Sequence, residues 1–361
     1  LLEHFHVAPE DEVRVRPEAL GRTVTDVFLK MGMSTGDAEL ASEVLVSADV
    51  RGVDTHGVSN MLRRYVEFFN DNFVNPTPEL KILRETPSTA NVDADEGLGL
   101  VVGAKCMDMA IEKARNVGIG AVTIGNARHF GMMAYHAMRA LPHDMIGYAI
   151  TGGGANTMPT FGAIPRLGAN PHAWAVPTGE EPPFVLDISS SAVAANKMGL
   201  ARRNGATLLP GMMADEDGTP IMDEREMPEH TWMLPVGGTR ELGSHKGYGL
   251  GVIAQVFSGI LASGQFGDYG AGRMTGFVAA YSVDAFTDVD KFKADMDSFL
   301  RYLKETPPAP GHDRVYYAGL PEHEEELIRR EHGIPLHKEV IEWFDSIASE
   351  LGIAPLETVA S

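Results

Sequence analysis

Cysteine is nearly absent from this chain of 361 residues: Cys106 stands alone, so no intramolecular disulfide can form, and the composition suits a reducing compartment such as the cytoplasm. Basic residues are also scarce. Lysine and arginine number 30 against 50 aspartates and glutamates, a formal net charge of -20, and a surface of that sign repels nucleic acid and anionic membranes at long range. Long hydrophobic runs are missing too. The best candidate for a membrane span, residues 247–264, holds five glycines with Gln255 and Ser258 and reads instead as a helix buried on most sides. Leu1 to His6 lack the basic stretch and apolar run of a secretory leader. Neither an internal repeat nor a low-complexity segment is present. The length allows one large or two moderate domains with a sizeable core.

Apolar residues at helical spacing, Leu20, Val24, Val27 and Phe28, follow Pro17 at a first helical turn and stop at Gly32. Ser34 with Asp37 resembles a capping box that opens a second helix through Leu40, Val44 and Ala48. The two are expected to pack as a hairpin. A third helical pattern spans Gly57 to Phe69. From Thr89 to about Ala285 the texture changes to short β-branched runs, Ala121 to Ile124 and Phe184 to Leu186 among them, bounded by glycine, proline and asparagine. Within it, Gly103 to Val117 reads as a helix leading into the next strand. Helical patterns return at Asp290 to Leu303, Pro321 to His332 and His337 to Leu351. The expected division is therefore a helical domain in two parts, residues 1–85 and 286–361, around a sheet-rich domain at 86–285.

Two turns could carry chemistry. His56 lies in Asp54-Thr55-His56-Gly57 between two helices, and His129 in Asn126-Ala127-Arg128-His129-Phe130-Gly131 just after a strand, where α/β proteins open ligand crevices. Each histidine reads equally as an acid-base group or as a residue satisfied by a backbone carbonyl. Carbonyl reduction needs a proton donor for the developing alkoxide and a cation for a substrate carboxylate; Arg63, Arg64 and Arg128 are the nearby cations. A glycine-rich Thr151 to Asn156, including Gly153, follows a strand and could approach a phosphate closely, yet no G-x-G-x-x-G fingerprint is present. The hydroxyl run Leu186 to Ser191 suits phosphate, ribose or a helix cap, and Lys246 opens the apolar helix, where an anion is favoured. Metal chemistry is not indicated: the 13 histidines form no H-E-x-x-H cluster, and His4-x-His6 reads as a chain end. No G-x-S-x-G elbow appears, and Cys106 falls inside an expected helix.

Read in order, Arg51 to Val58, Asp93 to Gly103, Asn126 to Gly131, Leu167 to Pro171, Phe184 to Ser190, Lys246 to Leu250 and Gly333 to Leu336 resemble one family. It is that of the NAD(P)-dependent malate/L-lactate dehydrogenases of the type II, sulfolactate-dehydrogenase-like fold. The resemblance implies an α/β (mixed α+β), non-Rossmann architecture with a sheet-rich cofactor domain and a discontinuous helical domain, assembled as a homodimer. It implies that His56 and His129 are the two candidate proton donors or acceptors, without ranking them. NAD or NADP would be held by Gly153, by Asp187, Ile188, Ser189, Ser190 and Ser191, by Lys246 and Gly247, and by Gly319-Leu320. The substrate would be a small 2-oxo or 2-hydroxy acid; a cyclic ketimine or ureidoglycolate, used by other members, is the alternative, and a non-catalytic ligand-binding protein the remote one. Two departures stand out. Many members carry arginine four residues after the turn histidine, where this chain has Asn60, so Arg63 or Arg64 is expected to take over the carboxylate, and glycines replace the usual T-N-[TS] near Thr151. Nothing reads the ribose 2′-hydroxyl, and Arg202 and Arg203 fit surface charge as well as a 2′-phosphate.

Overall fold

The computed structural model describes residues 7–198, 206–226, 228, 230–264, 266–267 and 273–359; His4, His6, Arg202 and Arg203 lie outside them. Strand β1 (Glu12–Val15) precedes helices α1 (Pro17–Lys30) and α2 (Thr35–Val50). Pro17 occupies the first turn of α1, and Ser34 caps α2 by accepting the Asp37 N–H. These are the signals the sequence displays. Ser42 Oγ donates to the Gly21 carbonyl at 2.8 Å, tying the two as an antiparallel pair. Helix α3 (Val58–Asn70) then buries Met61, Leu62, Tyr65, Val66 and Phe69 on one stripe.

The sheet consists of β2 (Lys81–Glu85), β3 (Thr89–Asp93), β4 (Ile119–Ala127), β5 (Met145–Gly152), β6 (His172–Val176), β7 (Phe184–Ile188) and β10 (Met274–Ser282), with a small ribbon of β8 (Met213–Ala214) and β9 (Trp232–Met233) outside it. Its order is β2-β3-β4-β10-β5-β6-β7. Only β3 and β4 run parallel, joined by helix α4 (Gly99–Val117); the other neighbours are antiparallel. The arrangement is mixed α/β and not doubly wound. Helix α4 starts at Gly99, a turn before the expected Gly103, because both glycines serve close packing. A Cβ at Gly99 would stand 2.5 Å from the Arg128 carbonyl oxygen, and one at Gly103 2.7 Å from the His136 ring. The short helix α5 (Met133–Met138) lies against β5 and follows the His129 loop.

Helix α6 (Ser244–Ala254) continues as a π-helical segment, Gln255–Ile260, and a last turn, Leu261–Ser263. The expectation of burial on most sides does not hold. Gly251, Ala254, Ser258 and Ala262 face inward, and a Cβ at Gly152 of β5 would come 2.6 Å from Ser258 Oγ. The opposite stripe is open: Ile253, Ile260 and Leu261 are 48%, 49% and 55% exposed, because the helix rests on one face of the sheet and no described residue covers its outer side. Helices α7 (Val289–Lys304), α8 (Leu320–His332) and α9 (Lys338–Leu351) follow, and β11 (Ile334–His337) pairs antiparallel with β1, Val15 opposite Ile334. The two ends of the chain thus share a ribbon beside the α1–α3 core. No helix among the described residues is long and apolar enough to cross a membrane.

Candidate active site

The first histidine is placed by its turn. After α2 the chain passes through Gly52, at φ +72°, into the single 3-10 turn Asp54–His56 and enters α3 after Gly57. Asp49, fully buried on the last turn of α2, accepts the Val58 N–H at 2.8 Å. A Cβ at Gly57 would lie 1.9 Å from Asp49 Oδ1, so glycine is required there by space. Burial, and then the charge of Asp54, push the Asp49 carboxyl well above the ordinary range. His56 Nδ1 sits 2.9 Å from Thr55 Oγ1. A hydroxyl can give or take that bond, so either protonation state of the ring is accommodated. Desolvation holds the imidazole down at about 4.

Strand β4 carries the second histidine to the same place. The rings of His56 and His129 stack at 5.8 Å between centroids and 11° between planes. Nδ1 of His129 receives the Gly131 backbone N–H at 3.1 Å and lies 2.7 Å from the Tyr65 hydroxyl. An amide N–H can only donate, so Nδ1 is an acceptor and the network assigns the ring proton to Nε2. Burial first, then His56 and Arg64, keep His129 well below its ordinary value. At neutral pH it is therefore a neutral ring with a fixed N–H donor.

Both histidines open on a cavity of about 800 Å³, within the range for small-molecule sites. One wall comes from α3 and the His56 turn, another from one face of α8, Pro321 to Arg329, and the floor from the ends of β5, β7 and β10. Thr151, Gly153, Gly154 and Asn156 line it, with Gly153 at φ +155° and Gly154 at φ +71°. A Cβ on Gly153 would meet the Arg273 carbonyl oxygen at 2.9 Å, so this rim stays free of side chains. Asp187, Ile188, Ser189 and Ser191 line the β7 side. Asp187 accepts the Ala134 N–H at 2.7 Å, and the close walls around it push its carboxyl up to about 7. A smaller cavity of about 440 Å³ behind Arg51 contains neither histidine.

The remaining expected residues are divided between wall and support. Arg64 lines the cavity and lies over the Phe68 ring. Arg63 points away, 71% exposed and paired with Glu67, because neighbours on a helix diverge by about 100° and only one can face inward. Asn60 is not on the wall; its amide reaches the Asn196 carbonyl at 3.4 Å. Arg128 is structural: nearly fully buried, it pairs with Glu96 and donates to the Phe73 carbonyl. Ser190 is buried behind the wall and donates to the Asn170 carbonyl, while Ser189 and Ser191 donate to the carbonyls of Ser191 and Val193. All three hydroxyl protons are engaged within the protein, which leaves Ser189 and Ser191 as acceptors toward the cavity. Lys246 is exposed and off the wall, and Gly247 backs onto Val236, which is on it. Gly319, at φ +94°, lies against Val185, and Leu320 is buried at the start of α8. Sequence reasoning passed over Lys197, Arg273, Glu322 and Arg329 on the cavity wall, along with the Tyr65 hydroxyl and Asp49. None has a local signal, because tertiary packing brings each to the site, as when Asn196 beside Lys197 donates to the Thr55 carbonyl at 2.8 Å. No cluster able to hold a metal ion occurs among the described residues.

Comparison with known proteins gives the class first: the relatives that match over nearly their whole length are dehydrogenases, and this chain is a 2-hydroxy acid dehydrogenase. It is 35% identical to the malate dehydrogenase of Pyrococcus abyssi over 355 residues, 96% of this chain and 98% of that one. It is 33% identical to the L-sulfolactate dehydrogenase of Methanocaldococcus jannaschii, across 94% and 97% of the two chains. The solved malate dehydrogenase of Entamoeba histolytica superposes with a TM-score of 0.91 at 31% identity, covering 95% of this chain and 99% of that one. The malate/L-lactate dehydrogenase family model matches residues 15–345, and the chain belongs to that family.

Proposed function

We propose that the chain transfers hydride between a nicotinamide dinucleotide, NAD or NADP, and a small 2-oxo/2-hydroxy acid of the malate or L-lactate type. The observation that carries this reading is the unequal pair of histidines on one cavity. His129, with its proton fixed on Nε2, serves as a hydrogen-bond donor to the substrate oxygen, as an oxyanion-type group does. His56 is free to exchange a proton and is neutral at pH 7, as a base for alcohol oxidation must be. In that direction the hydroxyl proton passes to His56, the C2 hydrogen leaves with its electron pair, and the carbonyl forms against His129. The bound nicotinamide supplies the hydride acceptor.

The cavity fits such a group. The side-chain-free rim at Gly153 and Gly154 admits a close approach by a phosphate or ribose, and Asp187, Ser189 and Ser191 offer acceptors to hydroxyls or an amide. Of the arginines on the wall, Arg51 and Arg329 are paired with carboxylates and Arg273 lies at the Gly153 rim, whereas Arg64 has no carboxylate pairing among the described residues and its charge acts on His129. Arg64 therefore serves as the substrate carboxylate's cation. A homodimer is part of this reading, supported by the open apolar stripe of α6 and the segment that continues it. So is a cytoplasmic setting, supported by a cysteine content that needs no oxidising compartment.

The test is a fluorescence titration with NADH and NADPH, followed by turnover of a panel of 2-oxo acids and cyclic imines. Binding of one cofactor with turnover of an oxo acid is the expected result. Turnover of an imine alone would move the chemistry to a C=N bond, and binding of neither cofactor would sink the dehydrogenase reading.

A further inference from the structure

The turn that carries His56 is held from outside by one residue far away in sequence. Arg329, on the last turn of α8, is 3% exposed. Its Nη1 donates to the Asp49 carbonyl and to Asp54 Oδ1, both at 2.6 Å, Nη2 lies 3.3 Å from Asp54 Oδ2, and Nε donates to Glu325 Oε1 at 2.6 Å. It thus grips both ends of the segment that leads from α2 into the 3-10 turn. The fork is what a planar guanidinium can do and an ammonium cannot. Packing reinforces it: a Cβ on Gly52 would come 2.8 Å from Glu325 Cγ, so α8 lies directly on the bend before the turn. From the other side Asp49 holds Val58. The turn has little freedom left.

We propose that Arg329 is a positioning residue for His56: by clamping Asp54 and the Asp49 carbonyl it fixes the ring opposite His129, and so makes α8 part of the reaction machinery. The proposal rests on the reading of His56 as the acid-base group. Burial of a guanidinium among two carboxylates is expensive unless every bond is made, and here each bond made at the turn points to geometry that a solvated surface pair would not need. The charged and titratable groups around His56 are Asp49 and Asp54 on its own segment, His129 after β4, Arg64 on α3, Lys197, and Arg329 with Glu325 on α8.

The test compares Arg329→Lys, Arg329→Met, Asp54→Asn and the double variant R329M/D54N with the wild type. Three readouts apply: the NADH dissociation constant, kcat with the best oxo acid, and the His56 titration followed by NMR of the ring C–H signals. Loss of the clamp lets water reach the ring and leaves Asp54 without its counter-charge, and both raise the imidazole's proton affinity. The expected result for R329M is NADH binding within about threefold of wild type, kcat lower by roughly 30-fold or more, and a His56 titration moved up by at least about half a unit, from near 4 toward 6.5. R329K falls between, and in the R329M background D54N adds little to the loss of kcat while moving the His56 titration part of the way back. The proposal is overturned by an unmoved His56 titration in R329K and R329M, by a kcat loss that only tracks the folded fraction, or by additive effects in the double variant. If R329M fails to fold, R329K decides alone. A wild type inactive on every oxo acid would instead sink the proposed function, and the NMR titration would still decide the role of Arg329.

Discussion

The hydroxyl of Tyr65 and the Gly131 amide converge on one atom, Nδ1 of His129, at 2.7 and 3.1 Å. The amide can only donate and so decides which nitrogen of the histidine carries the proton, and the hydroxyl then donates to the same atom. Tyr65 arrives on the buried stripe of α3 and Gly131 on the loop after β4. Replacing Tyr65 by Phe should leave the fold intact and lower kcat about tenfold, the scale of one hydrogen bond lost in a buried network. Stopped-flow assays with a fixed cofactor check this; an unchanged kcat would remove Tyr65 from the mechanism.

His56→Asn and His129→Asn should each lower turnover by roughly 10²-fold or more, yet differ in pH dependence. Because desolvation holds His56 down at about 4, oxidation in the wild type should stay flat from neutral pH and fall only as pH drops through that value. His129→Asn should keep that limb and His56→Asn should lose it. A limb retained in His56→Asn would reassign the base.

Arg64→Gln should raise KM for the oxo acid by about tenfold or more, the scale of a charge-assisted hydrogen bond, while NADH binding holds. Arg63→Gln, on the outward side of the same helix, should behave as wild type. Equal effects of the two substitutions in steady-state kinetics would argue against Arg64 as the carboxylate's partner.

One buried histidine should make the protein acid-sensitive above the ordinary carboxylate range. His136 is fully buried with Nε2 bonded to the Phe130 carbonyl, and burial holds it at about 4. The unfolded chain, near 6.5, therefore binds more protons below that pH, and stability falls as pH drops from 6.5 toward 4, at roughly 1.4 kcal/mol per unit for this group alone. Urea midpoints at pH 7 and pH 5 for the wild type and for His136→Asn measure it, because the raised carboxyls of Asp49 and Asp187 act in the opposite direction in both proteins; a pH dependence unchanged by the substitution would contradict the linkage.

Ile253→Asp on the open stripe of α6 should shift a dimer toward monomer in sedimentation velocity, because a carboxylate in an apolar interface loses its hydration without gaining a partner. A wild type that sediments as a monomer would show that the stripe is not a dimer interface.

The helical hairpin, the Ser34 cap and the α4–β4 unit were legible in the sequence because their causes are local: a fixed φ, a cap three residues ahead, a repeat of 3.6 or 2; the need for glycine at residue 57 was not, because it comes from the space Asp49 occupies. The motifs around His56 and His129 were visible for the same reason. Their relation was not. That Arg64 faces the cavity and Arg63 does not follows from the rotation of α3 in the core, and the exposed stripe of α6 depends on which of its faces meets β5.

By itself, then, the order of residues indicated the main helices, the sheet-rich middle and the α4–β4 unit, that no intramolecular disulfide can form, and which turns carry histidine. Tertiary structure alone decided that the two rings stack at 5.8 Å, that one ring's proton is fixed by the Gly131 amide, and that Arg329 reaches back across 275 residues to Asp54. The reason is physical: a hydrogen bond or a buried charge depends on distances in space, and chain spacing encodes such distances only within one helix or strand.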